Sequence, residues 1–430
     1  MGQGMQQTLL LGNSPAVIFK PFHCQRLTIT SLAIDFNPLP FTAGYVVNVS
    51  TSYLDVQVVP PHKADIGRQV RAILQYDPIE MRPASSPNAY EIYQTPPSNE
   101  NTSLVSPGIL RIPLASPSIF VAGDPVVARY TFDRHAIDAH DVTDFTVQSI
   151  RIYTSWCMGV VTIRAKRLNI IDFHVIPRDG RWMSTIVDCM HFADSRNYIN
   201  IIDSRCEAQG DDGLNVHGFY FTVAEIINST ALVFEEFNWF DVLNVGVGTR
   251  LEFSSSQQPF TVYATAKVAS SSIYSPTSRL FTFTSLINVS VGDWASVADT
   301  PTLTIRNLTV ANNRARGVLL KTRNIQITDS LFNRTSGPAV LFEPSMYCQN
   351  ISAYNNTVVK HQFTFDPYYY DNANPCQTNL SHFIDLPLSG FNSSFPPPVT
   401  LPYSSSSDAC DIENLLKNIS NGCSLSTIIG

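Results

Sequence analysis

The chain predicts an all-β fold: a right-handed parallel β-helix (a solenoid) interrupted by two small antiparallel β-barrel or sandwich inserts. Three observations predict it. First, TLTIRNLTVANNRARGVLLKTR (302–323) overlays NIQITDSLFNRTSGPAVLFEPS (324–345) at an offset of 22 residues. Leu303 then meets Ile325, Ile305 meets Ile327, Val318 meets Val340 and Leu319 meets Leu341. Second, looser copies of the unit come earlier, as TDFTVQSIRIYTS, KRLNIIDFHVIP and RNYINIIDSRCE. Third, the repeat is lost twice and gives way to other strand patterns. A short strand rich in Ile, Val and Thr, closed by an Asn-rich corner and repeated at this interval, reads as one coil of a β-helix. One coil cannot bury its apolar face alone, whereas stacked coils bury it together.

Taken in order, residues 1–43 read as coils, with no capping turn before them. Residues 44–131 form the first insert. There VVNVSTSYLDVQVV alternates at period two, ILRIPLA and VVARYTF follow as strands, and PASSPNAYEIYQTPPSNENTS is a surface loop. Residues 132–218 return to coils and end in GDDGLNVHG. Residues 219–300 carry many short strands, from FYFTVAEII to WASV, as expected of a small barrel. Residues 301–360 complete the stack. Residues 361–430 are an irregular Pro/Ser-rich tail, to which no function is assigned.

Composition narrows the function. The 430 residues are 44% apolar, enough for a large core. The net charge is −7, which argues against a nucleic-acid partner, because phosphate binding needs a basic stripe. No apolar run reaches the length of a membrane span. Eleven Asn-x-Ser/Thr sequons, about half of them expected by accident, lean toward the secretory pathway. Of eight cysteines, Cys348 with Cys376 and Cys410 with Cys423 are expected to staple the C-terminal region. Cys157, Cys189 and Cys206 lie in coils and read as buried thiols; none forms a zinc-type CxxC pair. The expected location is extracellular or lysosomal. MGQGMQQTLLLGNSP lacks the marks of a signal peptide, so the sequence is expected to be a fragment or a mis-started reading frame.

The chemistry centres on residues 181–220. Asp188 precedes Asp211 and Asp212 by 23 and 24 residues, close to one coil. Stacked strands lie about 4.8 Å apart, so Asp188 is expected beneath the pair. Gly210 and Gly213 flank the pair, and a kinked corner there would turn both carboxylates to one side of the outer wall. Three carboxylates so close cannot all ionise easily, which leaves a proton donor beside two bases. Glycoside hydrolysis needs that combination. An isolated Asp-Asp-Gly is more often a turn or a calcium loop; the partner one coil away, with His191, Asn215 and His217, favours catalysis. Asp211 is expected as the acid, with Asp188 and Asp212 holding the water; Asp188 as acid with the pair as base stays open. The histidines and Asn215 are expected to bind sugar hydroxyls or orient the carboxylates. Arg181 and Trp182 precede the Asp188 coil, and Arg314 and Arg316 lie on a following one. Of these, Arg181 and Arg316 are candidate substrate contacts. Trp239 and Phe240 read as core aromatics of the second insert or as a sugar platform.

STIVDCMHF, the 23-residue gap and GDDGLNVHG together resemble glycoside hydrolase family 110, the α-1,3-galactosidases. That family shows Asp-Ala-Thr-His-Phe followed by Asp-Asp-Ala-x-Asn-Val-His-Gly. The chain departs from it at Cys189-Met190 and at Gly213, beside the carboxylates, which touches substrate choice more than reaction class. The coil LTITSLAIDFNPLPFTAGYVVNV and the stretch NNRARGVLLKTRNIQITDSLFNRTSGPAVLFE are similar too, so the resemblance spans roughly 8–344. It implies two β modules flanking the active face and exo-acting, inverting removal of terminal α-1,3-linked galactose from glycans. That chemistry needs no metal and no organic cofactor. The alternatives are another β-helix glycosidase of the polygalacturonase kind and a non-catalytic glycan-binding β-helix.

Overall fold

The computed structural model describes residues 2–84, 91–92, 98–132, 134–235 and 245–342, together with the strands Ile351–Tyr354, Asn356–Val359, Thr378–Leu380 and Phe383–Leu386. Among the described residues every regular element is a strand. No helix there is long and apolar enough to cross a membrane.

Two parallel sheets form the walls of a β-helix. In one, Gln25–Phe36, Thr143–Ile152, Lys166–Val175, Arg196–Glu207 and Thr302–Ala311 lie side by side in that order. In the other, the order is Ile137–His140, Val160–Ile163, Met190–Ala193, Leu214–His217, Val318–Lys321 and Val340–Phe342. Leu303 pairs with Ile325, Ile305 with Ile327, Val318 with Val340 and Leu319 with Leu341. The offset of 22 residues is therefore the register of the stack. Between the walls one core runs the length of the helix, filled by residues such as Phe36, Phe145, Phe173 and Phe192. Asn and Asp residues such as Asp172, Asp203, Asn307, Asn312 and Asn324 take positive φ at the corners. Asn and Asp enter this left-handed region more readily than most residues, and here Asn307 and Asn312 donate to Asp203 and Glu207 of the neighbouring coil.

Two antiparallel units lean on this stack. Seven strands between Phe41–Val49 and Pro125–Arg129 form a sheet. Six strands between Tyr220–Asn228 and Trp294–Val297 close into a barrel. The barrel core of Phe221, Phe234, Phe253 and Phe281 is continuous with Val161, Ile163 and Ala193 on the outside of the helix. The seven-stranded sheet packs Phe41, Leu74, Tyr76 and Val127 against Met183, Ile186 and Val187. The segment leading into Asp188 is thus buttressed from one side, and the strand leaving it from the other.

One cysteine expectation is corrected. Cys189 and Cys206 are not thiols but a disulfide, with Cα atoms 5.9 Å apart. Cys189 lies just before the strand Met190–Ala193 and Cys206 is the penultimate residue of Arg196–Glu207, on opposite walls of the same coil. The chain turns back within 17 residues, so the two sulfurs meet across the core. Cys157 is a buried thiol, as expected, and donates to the Phe132 carbonyl at 2.8 Å. Cys348, Cys376, Cys410 and Cys423 lie outside the described residues. Closing a loop of this size restricts the unfolded chain by about 3 kcal/mol. The double variant Cys189→Ala/Cys206→Ala is therefore expected to lose about that much stability, read by urea unfolding without reductant. A loss below about 0.5 kcal/mol would show that the bond is not formed in solution.

Candidate active site

Asp188 lies just before the strand Met190–Ala193, and Asp211 and Asp212 lie just before Leu214–His217. Met190 pairs with Leu214 in parallel register, so the stack sets one aspartate beneath two. One oxygen from each carboxyl lies within 4.8 Å of the others. The Asp212 amide donates to Asp188 Oδ1 at 3.2 Å, tying the two coils together.

The glycines act differently from the expectation. Neither Gly210 nor Gly213 has positive φ; the left-handed residue before the pair is Ala208, at 56°. A Cβ on Gly210 would lie 2.4 Å from the Ile186 carbonyl oxygen. One on Gly213 would lie 2.4 Å from the Gly317 carbonyl oxygen and 2.5 Å from Val310 Cγ1. The glycines let neighbouring coils approach closely enough to bring the carboxylates together. Ala208 supplies the bend.

The coil above provides the counter-charges. Arg314 Nη1 sits 2.8 Å from Asp211 Oδ2. Arg316 Nη2 donates to Asp212 Oδ2 at 2.8 Å, and the Arg316 amide donates to Asp212 Oδ1 at 3.0 Å. Asn313, fully buried, donates to the Asp211, Arg314 and Arg316 carbonyls at 3.0, 2.8 and 2.9 Å. It fixes the turn that carries both arginines. Arg129, from the first antiparallel sheet, is also fully buried and donates to the Ile186 and Gly210 carbonyls at 3.3 and 3.2 Å. Asn313 and Arg129 carry no sequence motif and were not singled out as site residues. For Arg129 the only signal is a charged side chain in an apolar stretch; Asn313 lies in the polar run ANNRARG and has none. The three acidic oxygens are close enough together for a cation, but Arg314 and Arg316 already neutralise two of the three charges.

The remaining candidates divide. His191 Nδ1 lies 2.7 Å from Asp188 Oδ2, and His191 Nε2 lies 2.9 Å from His217 Nε2. His217 Nδ1 donates to the Gly218 carbonyl at 3.0 Å. Asn215 Nδ2 reaches Asp212 Oδ2 at 3.5 Å. His191 and Asn215 therefore touch the acidic cluster, and His217 reaches it through His191. Arg316 holds Asp212, as just described. Arg181 is instead committed to the buried Asp35, at 2.7 and 3.1 Å. Its neighbour Trp182 packs among Tyr45, His62 and Tyr76 of the first sheet. Trp239 and Phe240 lie outside the described residues.

Burial sets the protonation of the cluster. It raises Asp188 well above the usual carboxylate range, and the Asp211 charge adds to the rise. It raises Asp212 too, against the pull of Arg316. Burial lowers His191 to about 4, helped by Lys321 and opposed by Asp211. The signs for stability follow by linkage. Raised carboxyls contribute stability that is full below the unfolded value of 3.8 and is lost as pH rises through their folded values. His191 acts oppositely: its contribution is present above 6.5 and is lost as pH falls toward 4. Asp188→Asn removes the first effect. The stability deficit of this variant is therefore expected to narrow as urea unfolding is moved from about pH 5 to about pH 8. A deficit that widens with pH would mean that Asp188 is stabilised as the anion.

Comparison with known proteins adds the following. No family model matches the chain. The chain is 26% identical over 277 residues to an α-1,3-galactosidase A of Shewanella woodyi, covering 59% of the chain and 44% of that protein. It is 26% identical over 262 residues to an α-1,3-galactosidase B of Parabacteroides distasonis, covering 55% of the chain and 42% of that protein. It is 23% identical over 354 residues to another from Bacteroides thetaiotaomicron, covering 74% and 55%. The chain thus spans about half the length of the curated relatives it matches. Among solved structures, the tailspike gp49 of Pseudomonas phage LKA1 aligns over 82% of the chain and 55% of its own, at 10% identity and a TM-score of 0.20. That structural likeness carries no functional argument.

Proposed function

We propose that the protein is an exo-acting glycoside hydrolase that removes terminal α-1,3-linked galactose from glycans, using Asp188, Asp211 and Asp212 as its acid and base groups. One observation carries the reading. Three carboxyls from two successive coils converge within 4.8 Å, with two arginines holding two of them. A purely structural ion-pair ladder would match each acid with one arginine or lysine; here, among the described residues, the buried Asp188 is paired with a histidine instead. The distant relatives named α-1,3-galactosidase support the choice of substrate.

Within this reading Asp211 is the group that meets substrate. Its side chain is 13% exposed, against 5% for Asp188 and 2% for Asp212. It protonates the leaving oxygen, while Asp188 and Asp212 position and deprotonate a water, with inversion at the anomeric carbon. Retention is the second reading of the stereochemistry. Common inverting pairs stand about 6.5–9.5 Å apart to admit water, and retaining pairs about 5–5.5 Å. The limit of 4.8 Å applies to one oxygen from each carboxyl and is shorter than the separation of whole carboxyl groups, so the product decides between the two. The first-formed anomer separates the two: β-galactose from an α-linked substrate means inversion, α-galactose means retention.

Secretion and glycan contact go together in this proposal, since terminal galactose is displayed outside the cytosol. Complete stability of α-1,3-, α-1,4- and α-1,6-linked galactosides to the folded protein would overturn the enzymatic reading. Retained binding to any of them would then point to a glycan-binding role.

A further inference from the structure

The hydrogen-bond chain leading away from Asp188 has a direction. The Gly218 carbonyl can only accept, so His217 Nδ1 carries a proton. A neutral His217 then presents Nε2 as an acceptor. Its partner, His191 Nε2, must donate. A neutral His191 in turn presents Nδ1 as an acceptor to Asp188 Oδ2, 2.7 Å away. An acceptor facing a carboxyl oxygen requires the carboxyl to donate.

The other two carboxyls are held by donors. Asp212 receives the Arg316 amide and guanidinium and the Asn215 amide. Asp211 receives the Arg314 guanidinium. Two arginines offset two charges, and a third negative charge would stand uncompensated in a buried place. Hydrogen-bond direction and charge balance therefore select the same residue. We propose that His191 and His217 are positioning residues that hold the cluster's one resting proton on Asp188, making Asp188 the proton store of the site.

The catalytic consequence rests on the glycosidase reading; the placement of the proton does not. When a sugar covers Asp211 and strips its water, Asp211 becomes the better base. The Asp188 O–H bond then breaks, one water bridging the gap passes the proton on, and a new O–H bond forms on Asp211. Asp188 is left as the carboxylate that activates water, and Asp211 as the acid. The charged groups facing this path are Asp211, Asp212, Arg314 and Arg316 around Asp188, and Asp211 and Lys321 around His191.

Two measurements on unliganded protein test the placement without any substrate. Nitrogen-15 NMR of the wild type at neutral pH should show His217 protonated at Nδ1 and His191 at Nε2 only. Infrared difference spectroscopy should show a carboxylic acid carbonyl band that disappears in Asp188→Asn and persists in Asp212→Asn. A doubly protonated His191, or an acid band that survives Asp188→Asn, would overturn the proposal. For the positioning role, His191→Leu and His191→Gln are compared by pH–rate profile. Losing an acceptor for the protonated form lowers the Asp188 value. The basic limb should therefore move down by about one pH unit in His191→Leu, about the worth of one hydrogen bond. It should stay near wild type in His191→Gln, whose amide both accepts and donates. An equal shift in both variants, or none in either, would contradict a positioning role. If no galactoside is hydrolysed at all, the spectra still decide the proton's position, so the two readings fail separately.

Discussion

Asp211→Asn is expected to lower kcat on an α-1,3-linked galactoside by about 10²–10⁴-fold, the range for removing a positioned general acid. Asparagine keeps the size of the side chain and can still receive Arg314 through its amide oxygen. What it cannot do is give a proton to the leaving oxygen. The folded stability should change little, because the side chain is part-exposed and its backbone is held independently by Asn313. KM should stay within a few-fold of wild type, since the amide occupies the same space. A leaving group that needs no protonation, such as fluoride, should recover most of the rate. An undiminished kcat on the natural linkage, or a loss that fluoride does not relieve, would remove Asp211 from the acid's position.

Arg316→Met carries an expected stability effect as large as that of removing the disulfide. Arg316 gives Asp212 a guanidinium bond at 2.8 Å, and the Asp212 side chain is 2% exposed. Methionine retains much of the stem's packing but leaves a buried carboxylate without its counter-ion. Stranding one member of such a pair costs about 3 kcal/mol. The pH dependence is the diagnostic part. Without Arg316, the folded value of Asp212, already raised by burial, rises further. The deficit should be full at neutral pH and shrink as pH falls through that folded value, where the carboxyl is neutral in the folded protein. A deficit equally large at pH 4 and pH 8 would mean lost packing rather than stranded charge.

Much of the fold was legible because a β-helix writes its register into the sequence. The overlay of 302–323 on 324–345 predicted side-by-side pairs that the structure contains. The carboxylate cluster was legible for the same reason: an interval of 23 or 24 residues is one coil here, as Met190 over Leu214 shows. Contacts across the coil rather than along the stack were not legible. Cys189 and Cys206 meet through the core because the chain reverses between two walls, and no repeat length reports where it reverses. The same limit hid Arg129, which arrives from a separate sheet, and misassigned Arg181, whose partner Asp35 lies 146 residues away. The roles given to Gly210 and Gly213 failed for a different reason. Glycine serves both unusual φ and close approach, and only the positions of the neighbouring coils tell which.

The central claim is that Asp188, Asp211 and Asp212 form a hydrolytic site for terminal α-1,3-linked galactose. The most direct measurement incubates the wild type and Asp211→Asn with an α-1,3-linked galactose disaccharide and follows the first-formed product by proton NMR. The account predicts release of β-galactose by the wild type and a loss of at least about 100-fold in the variant. Galactose release at equal rates by both proteins would contradict it.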